Sequence, residues 1–305
     1  MVFVHGLFGH PYRTWASKGS TGIPVTQPKS DGGSNEAAHA TSFWKKPKRL
    51  VSRKTNVSWT SSTDTLTENA ASSSREIFWP QDLLPKAVPS ARVFTWGYDV
   101  DVSQFLSSTS TLSVSQHAET LLSDLSNVRT TYSTRSTKII FVAHSLGGII
   151  VKKALCSSST SKTQLSDILR QTAGVCFLGT PHRGARIASW GKLALDISKL
   201  FLQQPNSDIM RSLKDNSEAL QYISQEFSRL LVNRSFHIYS FREEYPYHGV
   251  MIVDDYSSSI GDGMEDCSTI PSNHRDMTKF WSVEDTGFIR VSAVLQRWES
   301  EWRSR

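Results

Sequence analysis

The stretch KIIFVAHSLGGIIVKKAL, Lys138 to Leu155, joins two kinds of pattern at one serine. Ahead of Ser145 the residues are apolar and β-branched, as in a strand buried on both faces. Behind it stand two glycines and a run whose apolar residues recur at helical spacing. Ala143 and Gly147, two positions to either side of the serine, are small, so strand and helix can close on each other. A serine at so sharp a corner sits in a strained backbone conformation, with its Oγ lifted above the sheet. The first amides of the helix point towards it, where they stabilise a developing oxyanion. The spacing predicts Ile149, Ile150, Ala154 and Leu155 facing inward and Lys152 and Lys153 facing outward. Ala143 stands where the general elbow motif has glycine, and alanine still fits sterically.

Outward from this corner the chain alternates. Short apolar runs predict buried strands at Val2–Val4, Arg92–Trp96, Lys138–Ala143, Gly174–Leu178, Phe236–Phe241 and Val250–Val253. Between them lie amphipathic stripes. Leu121, Leu122, Leu125 and Val128 make one, and Leu220, Ile223, Phe227, Leu230 and Leu231 another. Phe288, Val291, Val294, Leu295, Trp298 and Trp302 make the last. Strand alternating with helix implies an α/β protein whose mostly parallel sheet carries helices on both faces. One domain, residues 1–305, is the simplest account. From Ser17 to Arg75, Ser, Thr, Gly, Asn and Lys dominate, and the expectation there is a long disordered insertion.

Composition narrows the class. With 305 residues, 38% hydrophobic and 20% charged, the chain suits a globular protein. It holds no apolar run of the ~18 residues that a membrane span requires, and Met1 leads into strand-like sequence rather than a signal peptide. The three cysteines have no metal-ligand spacing, and Cys156 and Cys176 read as buried thiols, which suits a reducing, intracellular setting. The net charge of +6 is scattered except for WKKPKRLVSRK, Trp44 to Lys54, which in a polar loop is expected to be a solvated basic run rather than a nuclear-localisation or membrane-surface patch. No nucleic-acid-binding motif surrounds it, so no nucleic-acid partner is expected.

An activated serine needs a base, and the base needs an orienting carboxylate, in the chain order serine, acid, histidine. Nine histidines compete. His5 and His10 precede the serine, and His144 adjoins it on the strand. His182, in GTPHRGA, comes too early and is expected to shape a neighbouring loop. His248 lies before the expected final strand. His274, in PSNHRDMTKF, follows that strand and precedes the last helix, where the base belongs. The acid is open among Glu243 and Glu244, which end FHIYSFREE, and Asp254 and Asp255, which end VMIVDD. Position at the end of the penultimate strand favours the two glutamates. The oxyanion donors are expected to be the Leu146 N–H and, after Gly6 in VHGLFGH, the N–H of Leu7 or Phe8. No metal or organic cofactor is implied.

Together, VFVHGLFGHPYRTW, FWPQDLLPKAVPSARVFTWGYD, FVAHSLGGIIVKKAL, VCFLGTPHRGA, SFREE and NHRDMTKF resemble the SesB-like serine-active-site α/β-hydrolases. That group is lipase-like and related to the glycosylphosphatidylinositol-inositol deacylases. The resemblance implies an α/β-hydrolase fold in which Glu243, of the phenylalanine-any-glutamate string, is the acid and His274, of the Asn-His string, the base. It implies cleavage of a carboxylic ester, of a small molecule or lipid, through Ser145 and an acyl-enzyme. Fungal members often precede a NACHT module in NLR-like proteins, and animal relatives act in membrane phospholipid remodelling. The resemblance therefore admits an NLR-type protein context, peripheral membrane contact, and a cytoplasmic location or one at the mitochondrial or endoplasmic-reticulum surface. The rival class is a signalling module that keeps the hydrolase fold with weak turnover. Family members carry residues ahead of the strand that Met1 opens here, and the insertion is unusually long for the group. LFGH and Ile197–Pro205 are candidates for an acyl-binding wall.

Overall fold

Each strand of a parallel sheet sends alternate side chains to opposite faces, and here both faces are covered. The computed structural model describes residues 1–7, 9–18, 76–98, 110–182 and 217–304, all within one unit of the chain. In order, the elements are β1 Val2–Val4, β2 Ala16–Lys18, β3 Glu76–Phe78, α1 Trp79–Asp82, α2 Leu84–Ala87 and β4 Phe94–Trp96. They continue as α3 Ser110–Thr131, β5 Ile139–His144, α4 Leu146–Thr160, α5 Ser166–Gln171 and β6 Thr172–Leu178. The last are α6 Ser217–Leu231, β7 His237–Glu243, β8 Glu265–Ile270 and α7 Thr286–Arg303. The main sheet has the order β4-β1-β5-β6-β7-β8, and every pairing in it is parallel.

Alternation divides the core in two. Val2, Val4, Phe141, Ala143, Val175, Phe177 and Ile238 pack with the stripes of α3, α4 and α6. Phe3, Ile140, Val142, Cys176, Leu178 and Phe241 face the other way, onto α1, α2 and the Phe288–Trp298 stripe of α7. Asp285 starts α7 by accepting hydrogen bonds from the Gly287 and Phe288 amides, a cap that contributes about 1 kcal/mol. The registers His144↔Leu178, Leu178↔Phe241 and Glu243↔Ile270 bring the carboxyl ends of β5 to β8 to one edge of the sheet. In open α/β sheets, sites form at that edge.

All but the last of the expected strands form, Val2–Val4 with the expected ends and the other four with shifted ends. Val250–Val253 is not a strand. Val250 makes an isolated antiparallel bridge to Tyr247, and the Ile252 and Val253 amides donate to the Glu243 carboxylate instead of a ladder. The two side chains are nonetheless buried in the core, which is why the run is apolar. The final strand is β8, EDCSTI, a half-exposed edge strand with no apolar run to reveal it.

Ser17 and Lys18, at the start of the expected insertion, pair antiparallel with Ile77 and Glu76, and Ser17 Oγ donates to the Phe280 carbonyl at 2.9 Å. The remainder of that segment, the basic run Trp44–Lys54 and Ile197–Pro205 lie outside the described residues. Cys156 and Cys176 are buried, whereas Cys267 is exposed. Among the described residues, no helix is long and apolar enough to cross a membrane.

Lys153 faces outward as expected and pairs with Glu226 of α6 at 3.0 Å. Lys152 does not. It is 1% exposed, with its Nζ 5.7 and 5.6 Å from the ring centroids of Phe177 and Phe227. Two aromatic faces make the stem welcome there and leave the charge poorly solvated. Burial pushes the Lys152 ammonium down to about 7, against an opposing pull from the Glu265 carboxylate. That carboxylate already accepts from Ser240, Ser259, Ile260 and Gly261.

Between pH 7 and the ordinary lysine value of ~10.4, the unfolded chain holds a proton that the folded one releases, so this group's contribution to stability rises with pH. Lys152→Met keeps the stem and removes the charge, so it should raise the melting temperature most at pH 7 and progressively less towards pH 10. Differential scanning calorimetry of both proteins across that range checks this, and a gain that does not vary with pH would contradict it.

Candidate active site

Ser145 links β5 to α4 with φ 52° and ψ −125°, a conformation that costs a side-chain-bearing residue ~1–3 kcal/mol and persists only where neighbours enforce it. Three hydrogen bonds do so. Its N–H donates to the Leu178 carbonyl at 2.9 Å, and its own carbonyl accepts from the Gly148 amide at 3.0 Å and from Thr180 Oγ1 at 3.1 Å. The loop after β6 thereby grips both sides of the corner.

From the corner runs a buried hydrogen-bonded line. Ser145 Oγ lies 3.1 Å from His274 Nε2, and His274 Nδ1 lies 2.7 Å from Glu243 Oε2. The other Glu243 oxygen accepts from the Ile252 and Val253 amides at 2.7 and 3.1 Å. Both carboxylate oxygens act as acceptors here, so the imidazole proton that meets Oε2 resides on Nδ1. The lone pair of Nε2 then faces the serine hydroxyl, the tautomer needed to take its proton. Both the histidine and the glutamate side chain are 1% exposed.

The other acid candidates are engaged elsewhere. Glu244 pairs with Arg290 at 2.9 Å and also accepts from Thr269. Asp254 Oδ1 accepts from the Ser257 amide, and Asp255 pairs with Arg242 at the surface. Among the histidines, His10 Nδ1 accepts from the Tyr12 and Arg13 amides, and His248 occupies an exposed turn with φ 47°. His182 is buried. Its backbone amide donates to the Ser257 carbonyl at 2.6 Å, and its ring Nε2 meets Ser240 Oγ at 3.3 Å. Because Ser240 gives its proton to Glu265, His182 Nε2 is the donor of that contact.

Two close approaches bring the β1 loop to the serine. A Cβ on Gly147 would stand 2.3 Å from the His5 carbonyl oxygen and 2.6 Å from that of Val4, so only glycine lets α4 start against the end of β1. A Cβ on Gly6 would stand 2.7 Å from Ser145 Cβ. Leu7 therefore follows a residue in contact with the serine, and Leu146 is the first residue of α4. Among the described residues, neither of these two N–H groups meets an acceptor. Phe8, the alternative donor, lies outside the described residues.

Tyr98 holds this loop from behind, a role that sequence reasoning missed. Its hydroxyl donates to the His5 carbonyl at 3.0 Å, and its ring stacks on His5 at 4.5 Å and 3°. Burial pushes His5 down to about 4, against the opposing effect of its contact with Gly6. The neutral ring donates from Nδ1 to the Gly6 carbonyl at 2.9 Å and accepts the Tyr98 N–H at Nε2. Thr180 was also missed. Both residues stand in strings quoted above, FTWGYD and GTPHRGA, and the available signal was that their polar groups fall at strand ends on the site edge. A doubly covered parallel sheet with a serine elbow, followed in chain order by acid and base, is the α/β-hydrolase arrangement. Among the described residues, no group of three or more His, Cys, Asp or Glu side chains is placed to hold a metal ion.

Comparison with known proteins adds four likenesses. The family model described as "Putative serine esterase (DUF676)" matches residues 103–235, a span that includes Ser145 and ends before Glu243 and His274. Human Protein SERAC1 is 24% identical over 286 residues, covering 92% of this chain and 36% of SERAC1. Mouse Protein SERAC1 is 28% identical over 208 residues, covering 66% of this chain and 30% of the relative. The chain thus spans about a third of the length of these relatives. Among solved structures, mature Bacillus licheniformis lipase BlEst2 is similar, with 16% identity, a TM-score of 0.39, and 60% of this chain and 74% of the lipase covered.

The geometry separates the four acidic candidates by their partners. Glu243→Gln keeps an oxygen for the two amides but cannot accept the Nδ1 proton and ionically support the base, so fluorophosphonate labelling of the serine should slow by ~10²–10⁴-fold. Glu244→Gln, Asp254→Asn and Asp255→Asn should label within a fewfold of wild type. Second-order labelling rates measure all four, and a slow Asp254→Asn beside a fast Glu243→Gln would contradict the assignment.

Proposed function

We propose that the protein is a serine hydrolase that cleaves carboxylic esters, with an acyl ester of a lipid or small molecule as substrate. The observation that carries this reading is the unbroken line from Glu243 through His274 to Ser145. The match to a model described as a serine esterase supports the same class.

In this reading Ser145 Oγ attacks the ester carbonyl as His274 Nε2 takes its proton. The carbonyl oxygen becomes an oxyanion that the Leu146 and Leu7 amides receive. Glu243 keeps the imidazole in register and stabilises the imidazolium that forms. The tetrahedral intermediate collapses, the imidazolium protonates the leaving alkoxide, and the acyl group remains on Ser145. Water then repeats the sequence: His274 takes one of its protons, the hydroxide attacks the acyl-enzyme, and the carboxylic acid leaves as Ser145 recovers its proton. Every proton is carried by one histidine, so the reaction needs no group beyond these residues and water.

Burying a line of polar groups at a sheet edge is costly unless each is satisfied. A module kept only for association would have no need of the tautomer that Glu243 enforces. The deciding experiment uses p-nitrophenyl esters of increasing acyl length on wild type and Ser145→Ala. Wild type should turn over, and the alanine variant should lose ~10⁴-fold or more in kcat while keeping its melting temperature. A folded wild type with no turnover of any ester and no fluorophosphonate labelling would instead favour the association module.

A further inference from the structure

His144 has no part in the proton transfers described above, yet it lies buried beside the groups that perform them. Its Nε2 is 2.9 Å from the backbone carbonyl of His274. A carbonyl only accepts, so Nε2 carries the proton. The two imidazole centroids are 5.1 Å apart. On the other side of the ring, Nδ1 would be 3.3 Å from a Cβ placed on Gly6, so the ring also packs against the loop that bears Leu7.

We propose that His144 is a positioning residue: its imidazole ties the backbone of the base to the strand that ends at Ser145, and its ring wedges the Gly6 loop in place. The assignment rests on the serine-hydrolase reading and deepens it. The backbone anchors nearest the base explain why such a tie matters. The Asn273 carbonyl accepts from the Asp276 and Met277 amides, and the Ser272 carbonyl accepts from those of Glu244 and Tyr245. These bonds are local or reach the end of β7, and further along the loop Thr278 Oγ1 donates to the Thr14 carbonyl at 2.7 Å while its own carbonyl accepts from Trp79 Nε1 at 2.8 Å. The His144 bond joins the loop to the nucleophile's own strand, so that base and serine move as one.

The tie also has to stay uncharged. Burial and then the neighbouring His274 hold His144 well below the ordinary histidine value. A neutral ring keeps its single N–H on the carbonyl and adds no like charge beside the imidazolium that forms on His274 during the reaction.

His144→Phe keeps a ring against Gly6 and removes the donor, whereas His144→Gln offers an amide N–H that can reach the same carbonyl. Small misplacements of a base cost up to about a hundredfold, so kcat of the phenylalanine variant should fall by about tenfold to a hundredfold with KM within about twofold. The glutamine variant should recover most of that loss. In wild type, ¹⁵N NMR of the imidazoles should find His144 as the Nε2–H tautomer with a slowly exchanging proton. A folded phenylalanine variant with wild-type kcat, or a glutamine variant no better than phenylalanine, would overturn the assignment. So would an Nδ1–H tautomer, which can be read even if the phenylalanine variant fails to fold. A wild type that neither labels nor turns over would remove the hydrolase reading instead, a result distinct from all of these.

Discussion

The fit of α4 against the end of β1 is the constraint on which the site depends. Gly147 leaves the carbonyls of Val4 and His5 closer than any side chain would permit. Through that fit, the first turn of the helix stands beside the loop that follows β1, and Gly6 can touch Ser145. The strained serine conformation is the other face of the same fit: the chain must turn within one residue for the helix to lie so near. The bonds from Leu178 and Thr180 then hold the corner shut. A larger residue at 147 would move the helix away from the sheet edge and from the loop that follows β1.

Glu243 and His274 arrive from the later strands, and each is held by backbone as much as by side chain. Glu243 ends β7 and is received by two amides of a segment that has left the sheet. His274 follows β8 by a short loop, whose carbonyl reaches back to His144. Polar groups buried together in this way are strongly stabilising only when all are paired, and here the carboxylate, the imidazole and the serine hydroxyl each have a partner. The same logic explains Tyr98 and His5, whose stacking and hydrogen bonds fix the β1 loop from the side opposite the serine.

Much of this was legible in the sequence because it depends on local pattern. An apolar strand, a serine and a glycine pair before a helical stripe define the corner by themselves. The histidine after the last strand and the glutamate ending β7 could be narrowed by chain order, and the resemblance to a family selected Glu243 over Glu244. What stayed hidden depends on tertiary context. Ile252 and Val253 look like a strand because they are buried, but their amides serve a carboxylate. Strand β8 looks like a loop because one side of it is solvated. Lys152 looks like a surface residue because lysines usually are, and nothing near it in sequence announces the two phenylalanines that enclose its stem.

The central claim is that Ser145 carries the acyl group between attack and hydrolysis. Acid-quenched reaction of wild type with a slowly deacylating ester, followed by peptide mass mapping, tests it most directly. The account predicts an acyl mass increment on the peptide that contains Ser145, formed as fast as the first alcohol is released. Steady turnover with no such increment, or an increment on another residue, would contradict it.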